Sequence, residues 1–193
     1  MGLIEVISKE VAISQQQAVY IQSLFQRRNY KRGAVLLPSG QVANELFFVV
    51  EGALRQFYVN EAGDERTCNF TFENDFVTDL ESFSQQTTSP SSIKALVNTT
   101  CLCIRCEDLK ILLKDAPEIA EFFRIFVERI AAKSMRRTKS LLYASPEKHF
   151  LELIEEQPWI FQRVPQLYIA QYLGIAPESL SRIKKRLMAN VKS

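Results

Sequence analysis

The sequence predicts an α+β chain, its strands gathered ahead of most of its helices, and three observations lead there. Between about Tyr30 and Arg105 short apolar or alternating runs, among them "ELFFVVEG", "LRQFYV" and "RTCNFTF", are separated by turn-rich stretches such as "PSGQ" and "NEAGD". After Arg105 the period becomes helical, with Ile119, Phe122, Phe123, Phe126 and Ile130 on one wide stripe. The final quarter holds two short helical patterns around a glycine, "PQLYIAQYLGIAPESLSRIKKRL".

Composition fits a folded chain: 193 residues with 47% hydrophobic and 24% charged. The opening "MGLIEVISKE" has no basic region followed by an apolar run, and Val6 stands where a myristoylation signal needs Ser or Thr. No stretch approaches the roughly 18 uninterrupted apolar residues of a membrane span. A cytoplasmic location without membrane association is the expectation. Net charge is only +2, but it is unevenly spread. From Lys133 onward eleven Lys and Arg face five Glu, leaving +6, and the residues before it carry −4. An acidic front and a basic tail suit a regulatory domain joined to one that binds nucleic acid; a solvated charged helix face is the alternative.

Taken in order, Ser14 and Gln17 form a capping box, and Ala18, Ile21, Leu24 and Phe25 predict a helix ending near Arg27. The short runs that follow, with turn signals roughly 8 to 12 residues apart, predict a double-stranded β-helix, or jelly roll. Cys101, Cys103 and Cys106 crowd into "CLCIRC", yet a strand sends Cys106 to the face opposite the other two. Reduced, mostly buried thiols are expected there, and no metal site. Asp115 and Glu118, with Pro117 in the first turn, predict the start of a long helix reaching about Ala144. Its stripe of Ile119, Phe122, Phe123, Phe126 and Ile130 could cover its own β module, form a two-fold helix pair, or both. Ser145 and Pro146 then restart a helix as N-cap and first residue, carrying Phe150, Leu151, Leu153 and Ile154 as far as "QPW".

The closing pattern meets the demands of a helix-turn-helix. Ala170 is the small residue where helices cross, Gly174 supplies the turn, and Ile169, Leu173, Ile175, Leu180 and Ile183 are spaced to meet inside. Pro177 begins the second helix. Its outward face carries Glu178, Ser181, Arg182 and Lys185, flanked by Ser179, Lys184 and Arg186. Arginine can pair with guanine O6 and N7, glutamate can accept from cytosine N4, serine can reach base or phosphate, and lysine neutralises phosphate.

On these residues "YIAQYLGIAPESLSRIKKRL" resembles the DNA-binding element of the Crp/Fnr family, bacterial regulators similar to the cyclic-AMP receptor protein. Glu178, Ser181 and Arg182 match the E-x-x-S-R triplet with which many members read bases. "PSGQVANELFFVVEGALRQFYVNEAGDE" is similar to the early strands of the family's cyclic-nucleotide-binding jelly roll, with Gly40, Gly52 and Gly63 at turns. The resemblance implies a jelly roll over 1–115, a dimerisation helix over 116–143 and a helix-turn-helix domain over 144–193. It also implies a homodimer on a palindromic double-stranded operator, with RNA polymerase as a further partner and no enzymatic activity. A ligand or signalling module whose helical tail contacts protein is the alternative.

Three departures qualify that expectation. In "NDFVTDLESFSQQTTSPSSIKA" Thr78 and Asp79, followed by Leu80, replace the Gly-Glu-Leu that holds a cyclic nucleotide's ribose, and Ser91, followed by Ser92, replaces the phosphate-binding arginine. A serine cannot supply arginine's bidentate charge, so cyclic AMP is not an expected ligand. A different effector, none, or a phosphate reached by Lys94 stay open. Second, no cofactor is indicated: cysteines begin only at Cys68, and the single histidine, His149, suits neither haem nor a jelly-roll metalloenzyme and is expected on the surface or in packing. Third, "MANVKS" leaves no room for the family's full β wing, so phosphate contacts would fall to Arg163, Gln166, Lys184 or Lys192.

Overall fold

The structure, a computed structural model, describes residues 2–190. Its elements run α1 (Leu3–Ser8), α2 (Gln15–Leu24), β1 (Gln26–Tyr30), β2 (Val35–Leu37), β3 (Glu45–Glu51), β4 (Ala53–Val59), β5 (Glu65–Phe72) and β6 (Phe76–Val77). They continue through α3 (Leu80–Gln85), β7 (Ser91–Ala95), β8 (Thr99–Arg105), α4 (Cys106–Asp115), α5 (Pro117–Tyr143), α6 (Pro146–Glu156), α7 (Ile160–Arg163), α8 (Gln166–Leu173) and α9 (Pro177–Asn190). Two four-stranded sheets, ordered β1-β8-β3-β6 and β2-β7-β4-β5, make the roll. By internal contacts the chain divides into two compact units, 1–56 with 70–131 and 57–69 with 132–193. The tip of the β4–β5 hairpin thus belongs to the unit of the later helices.

The first unit is built around Phe48, Ile21, Ile104, Leu112 and Ile119, all fully buried. Alternation along β8 sends Cys101 and Cys103 inward, while Cys106 is buried at the start of α4, with its thiol donating to the Phe83 carbonyl at 3.4 Å. Burial pushes the Cys101 thiol up to about 12, so it stays protonated and apolar. Phe76 of β6 receives α5, with ring centroids 6.0, 5.7 and 5.2 Å from those of Phe122, Phe123 and Phe126. Each such ring contributes on the order of 2 kcal/mol by leaving water. The aromatic stripe is therefore spent within one protomer: Ile119, Phe122, Phe123 and Phe126 are buried, and of the five stripe residues only Ile130 reaches the exposed class. Of the alternatives open for this stripe, cover for the chain's own β module is the one its contacts show for Ile119, Phe122, Phe123 and Phe126. Among the described residues, the large exposed hydrophobic side chains of α5 are Val127, Ile130, Met135, Leu142 and Tyr143.

Other boundaries also differ from expectation. Ser14 and Gln17 close the capping box, with Gln17 N donating to Ser14 Oγ at 3.2 Å and Ser14 N to Gln17 Oε1 at 2.8 Å. Helix α2 nevertheless ends at Leu24, because Gln26 to Tyr30 pair with β8 from Cys103 to Thr99. Asp115 caps nothing; it is the last residue of α4, a helix with Glu107 and Asp108 in its first turn, Lys114 in its last and Leu109 and Leu112 turned inward. Helix α9 extends to Asn190, and Lys192 lies outside the described residues. Among the described residues no helix is long and apolar enough to cross a membrane.

Gly52 turns β3 into β4 with φ +107°, and its amide donates to Glu73 Oε1 at 2.9 Å. A Cβ there would lie 2.5 Å from Thr99 Oγ1 and 2.8 Å from the Asn98 carbonyl oxygen. Gly52→Ala is expected to cost about 2 kcal/mol or more in urea unfolding. Gly40→Ala, where φ is +83° but nothing lies within 4 Å, should cost only about 1 kcal/mol. Equal losses at the two positions would contradict the close-packed turn.

Candidate functional site

In the second unit α8 ends in a glycine-closed turn. Gly174, at φ +70°, donates its amide to the carbonyls of Ala170 and Gln171, and Ile175 N donates to Ala170 O at 3.0 Å. These bonds form a Schellman closure, which needs a left-handed residue and leaves α8 immediately. Pro177 then starts α9 with its fixed φ and no wasted N–H. Ile169, Ala170 and Leu180 are fully buried and Leu173 and Ile183 nearly so, whereas Ile175 is half-buried.

The residues expected on the outward face of α9 divide by role. Glu178, Ser181, Arg182 and Lys185 are exposed; Ser179 and Lys184 are half-buried. Arg182 Nη2 reaches Ser179 Oγ at 3.2 Å, and Ser181 Oγ donates to the Pro177 carbonyl at 3.1 Å. Lys184 lies over the Phe161 ring of α7, its Nζ 4.9 Å from the centroid. Arg186 is paired with Glu147 of α6 at 2.5 Å, and that hydrogen bond holds the Glu147 carboxyl below its ordinary value. Lys184 and Arg186 therefore brace α9 against the helices behind it. Gln166 is exposed at the start of α8, and Arg163, half-buried, stacks 5.3 Å from the Trp159 ring centroid. Glu178, Ser181, Arg182 and Lys185 together with Gln166 make a polar surface able to donate to and accept from a nucleic acid.

In the first unit the cassette around α3 is satisfied from within. Asp79 caps α3 by accepting from Ser82 N at 3.1 Å, while its other oxygen accepts from the hydroxyls of Ser89 at 2.8 Å and Ser91 at 2.7 Å. Gln56 Nε2 donates to Ser91 Oγ at 2.8 Å, and Ser92 Oγ accepts from Ser39 N at 2.9 Å. Thr78 Oγ1 donates to the Glu45 carbonyl at 2.9 Å, and Leu80 is exposed. Of the five expected pocket residues, Asp79 and Ser91 thus meet directly, joined by Ser89 and Gln56, which the sequence reading did not name. Lys94 of β7, half-buried, pairs with Val35 of β2, next to a register irregularity at Leu37 and Ile93.

His149, expected on the surface or in packing, is half-buried. Its Nε2 is buried without a hydrogen-bond partner, and the side chain lines a cavity of about 230 Å³ with Lys133, Arg136, Lys139, Glu152 and Tyr172.

The sequence pattern of the cyclic nucleotide-binding domain family matches residues 27–116. No curated protein matches the chain. Among solved structures it is similar to the c-di-GMP responsive global regulator CLP of Xanthomonas campestris, at 17% identity and TM-score 0.75 over 92% of this chain and 93% of that one. It is also similar to the catabolite activator protein of Thermus thermophilus, at 20% identity and TM-score 0.62 over 96% and 87%. A third similar structure, from Eubacterium rectale and described as a transcriptional regulator of the Crp/Fnr family, has 20% identity and TM-score 0.69 over 92% and 85%. At such identities the likeness establishes fold. Residues 27–116 thus match the cyclic nucleotide-binding domain pattern, and the chain has a fold like that of the catabolite activator protein structure.

Proposed function

We propose that the protein is a sequence-specific, DNA-binding transcription regulator of the Crp/Fnr type that acts as a homodimer. The observation that carries this reading is the division of labour on α9: Leu180 and Ile183 pack inward while Glu178, Ser181, Arg182 and Lys185 stand in solvent. A helix that merely closes a hairpin has no need of that outward set. The +6 charge from Lys133 onward supplies the phosphate attraction, and the similar structures are regulators. In this reading α8 and α9 are a helix-turn-helix, with 144–193 as the DNA-binding domain, 116–143 as the dimerisation helix and 1–115 as the regulatory roll. Two copies would meet along Val127, Ile130, Met135 and Leu142 of α5, and read half-sites about one helical turn apart.

The effector reading follows from the cassette. A cyclic phosphate would approach the Asp79 carboxylate, whose three donors are all neutral and already used. Repulsion from that carboxylate disfavours it. The regulatory roll therefore works without cyclic AMP, through another effector or through none.

Selection of bound sequences from random DNA should return a palindrome. Arg182→Ala should then lose about 1–3 kcal/mol at the selected site and relax its base preference in a mobility-shift assay. Lys185→Ala should weaken cognate and random DNA alike and reduce the salt slope of binding by about one. Salt-independent binding would favour a tail that contacts protein. About 1 mM cyclic AMP should leave Tm unchanged; a rise of several degrees would overturn the cassette reading. Asp79→Ala, which removes a helix cap and an acceptor of two buried hydroxyls, should cost about 2–4 kcal/mol in thermal unfolding.

A further inference from the structure

Arg137, in the C-terminal half of α5, has its guanidinium on two backbone carbonyls. Nη1 donates to Cys68 O of β5 at 2.6 Å and Nη2 to Tyr172 O of α8 at 2.8 Å, while Cζ lies 3.6 Å from the Tyr172 ring centroid. The two acceptors belong to segments 104 residues apart, and both lie in the second compact unit. Each acceptor is a main-chain oxygen that the guanidinium reaches directly. Strand β5 is the edge of its sheet, and Tyr172 is in the last turn of α8. The glycine turn takes the Ala170 and Gln171 carbonyls, and Arg137 takes the next one along. Its charge also faces the negative end of the helix dipole. A second bond joins the same segments, with Thr67 Oγ1 donating to Gln171 Oε1 at 3.1 Å.

We propose that Arg137 is a positioning residue for the α8–α9 surface, holding the tip of the β4–β5 hairpin and the C-terminal end of α8 on one guanidinium. The inference rests on the reading of α9 as a DNA-contacting helix. The direction of α9 is set where α8 ends, so a clamp on the last turn of α8 fixes how Glu178, Ser181 and Arg182 are presented. Strands β4 and β5 run on through Gln56 and Phe70 into the roll, and a shift along either strand reaches α8 through this contact. Only a planar, forked donor can hold both carbonyls and stack on Tyr172 at once; an ammonium keeps the charge and loses the geometry.

Wild type, Arg137→Ala and Arg137→Lys are compared in two assays on the full chain. Hydrogen exchange should quicken in 60–69 and in 166–176 in both variants, with 91–105 unchanged as the internal control. Affinity for the selected DNA site should fall about tenfold or more in both, while affinity for random DNA stays within about twofold in the lysine variant, which retains the charge. A role confined to stability would lower the two affinities together, following the folded fraction. Unchanged exchange in both segments overturns the clamp, whatever the DNA result. Faster exchange with full cognate affinity, or tighter cognate binding, overturns the positioning role. If the wild type prefers no DNA sequence, the DNA reading itself fails, and the exchange data still decide whether Arg137 joins hairpin to helix. Should Arg137→Ala not fold, Arg137→Lys carries the same comparison.

Discussion

Closure of three phenylalanines of α5 on Phe76 is the contact on which the rest of the chain depends. It commits Phe122, Phe123 and Phe126 to the roll, and with them the direction in which α5 leaves it. Packing of this kind is close to discrete, because rings at 5 to 6 Å cannot slide by a fraction of a turn without opening voids. The register of α5 is thereby fixed at its start.

The cassette shows a second kind of commitment. A pocket built for an anion offers donors and waits for its ligand; here the chain supplies its own carboxylate, and Ser89, Ser91 and the Ser82 amide serve Asp79. Buried hydroxyls left without an acceptor would each cost on the order of 1–3 kcal/mol, so Asp79 stabilises the roll from within.

Much of this was legible in the sequence, for reasons that can be named. Strand texture, the Ser14 capping box, the Gly174 turn and the inward set of Ile169, Leu173, Leu180 and Ile183 are local patterns, and each appears in the fold where its residues stand. Helix α4 is legible only in Leu109 and Leu112 with their flanking charges, a pattern of under three turns that the stronger Pro117 start signal beside Asp115 overshadows. The stripe of α5 was legible as apolar but not as to its partner, since periodicity names a buried face and not what buries it. Arg137 had no signature at all. Its acceptors are backbone carbonyls, present at every residue, and only the fold selects Cys68 and Tyr172 among them. The Asp79–Ser91 contact was half visible: the substitutions could be read, their mutual satisfaction could not.

The Schellman closure at Gly174 has a consequence for how the protein can change. Main-chain bonds to Ala170 and Gln171 shape the turn, and Leu180 and Ile183 seat the helix that follows, so none of the fold's requirements falls on Glu178, Ser181 or Lys185. Those positions can drift or be rewritten at little thermodynamic expense. The scaffold works like a socket that accepts different inserts: a lineage can explore substitutions on that face without first acquiring spare stability.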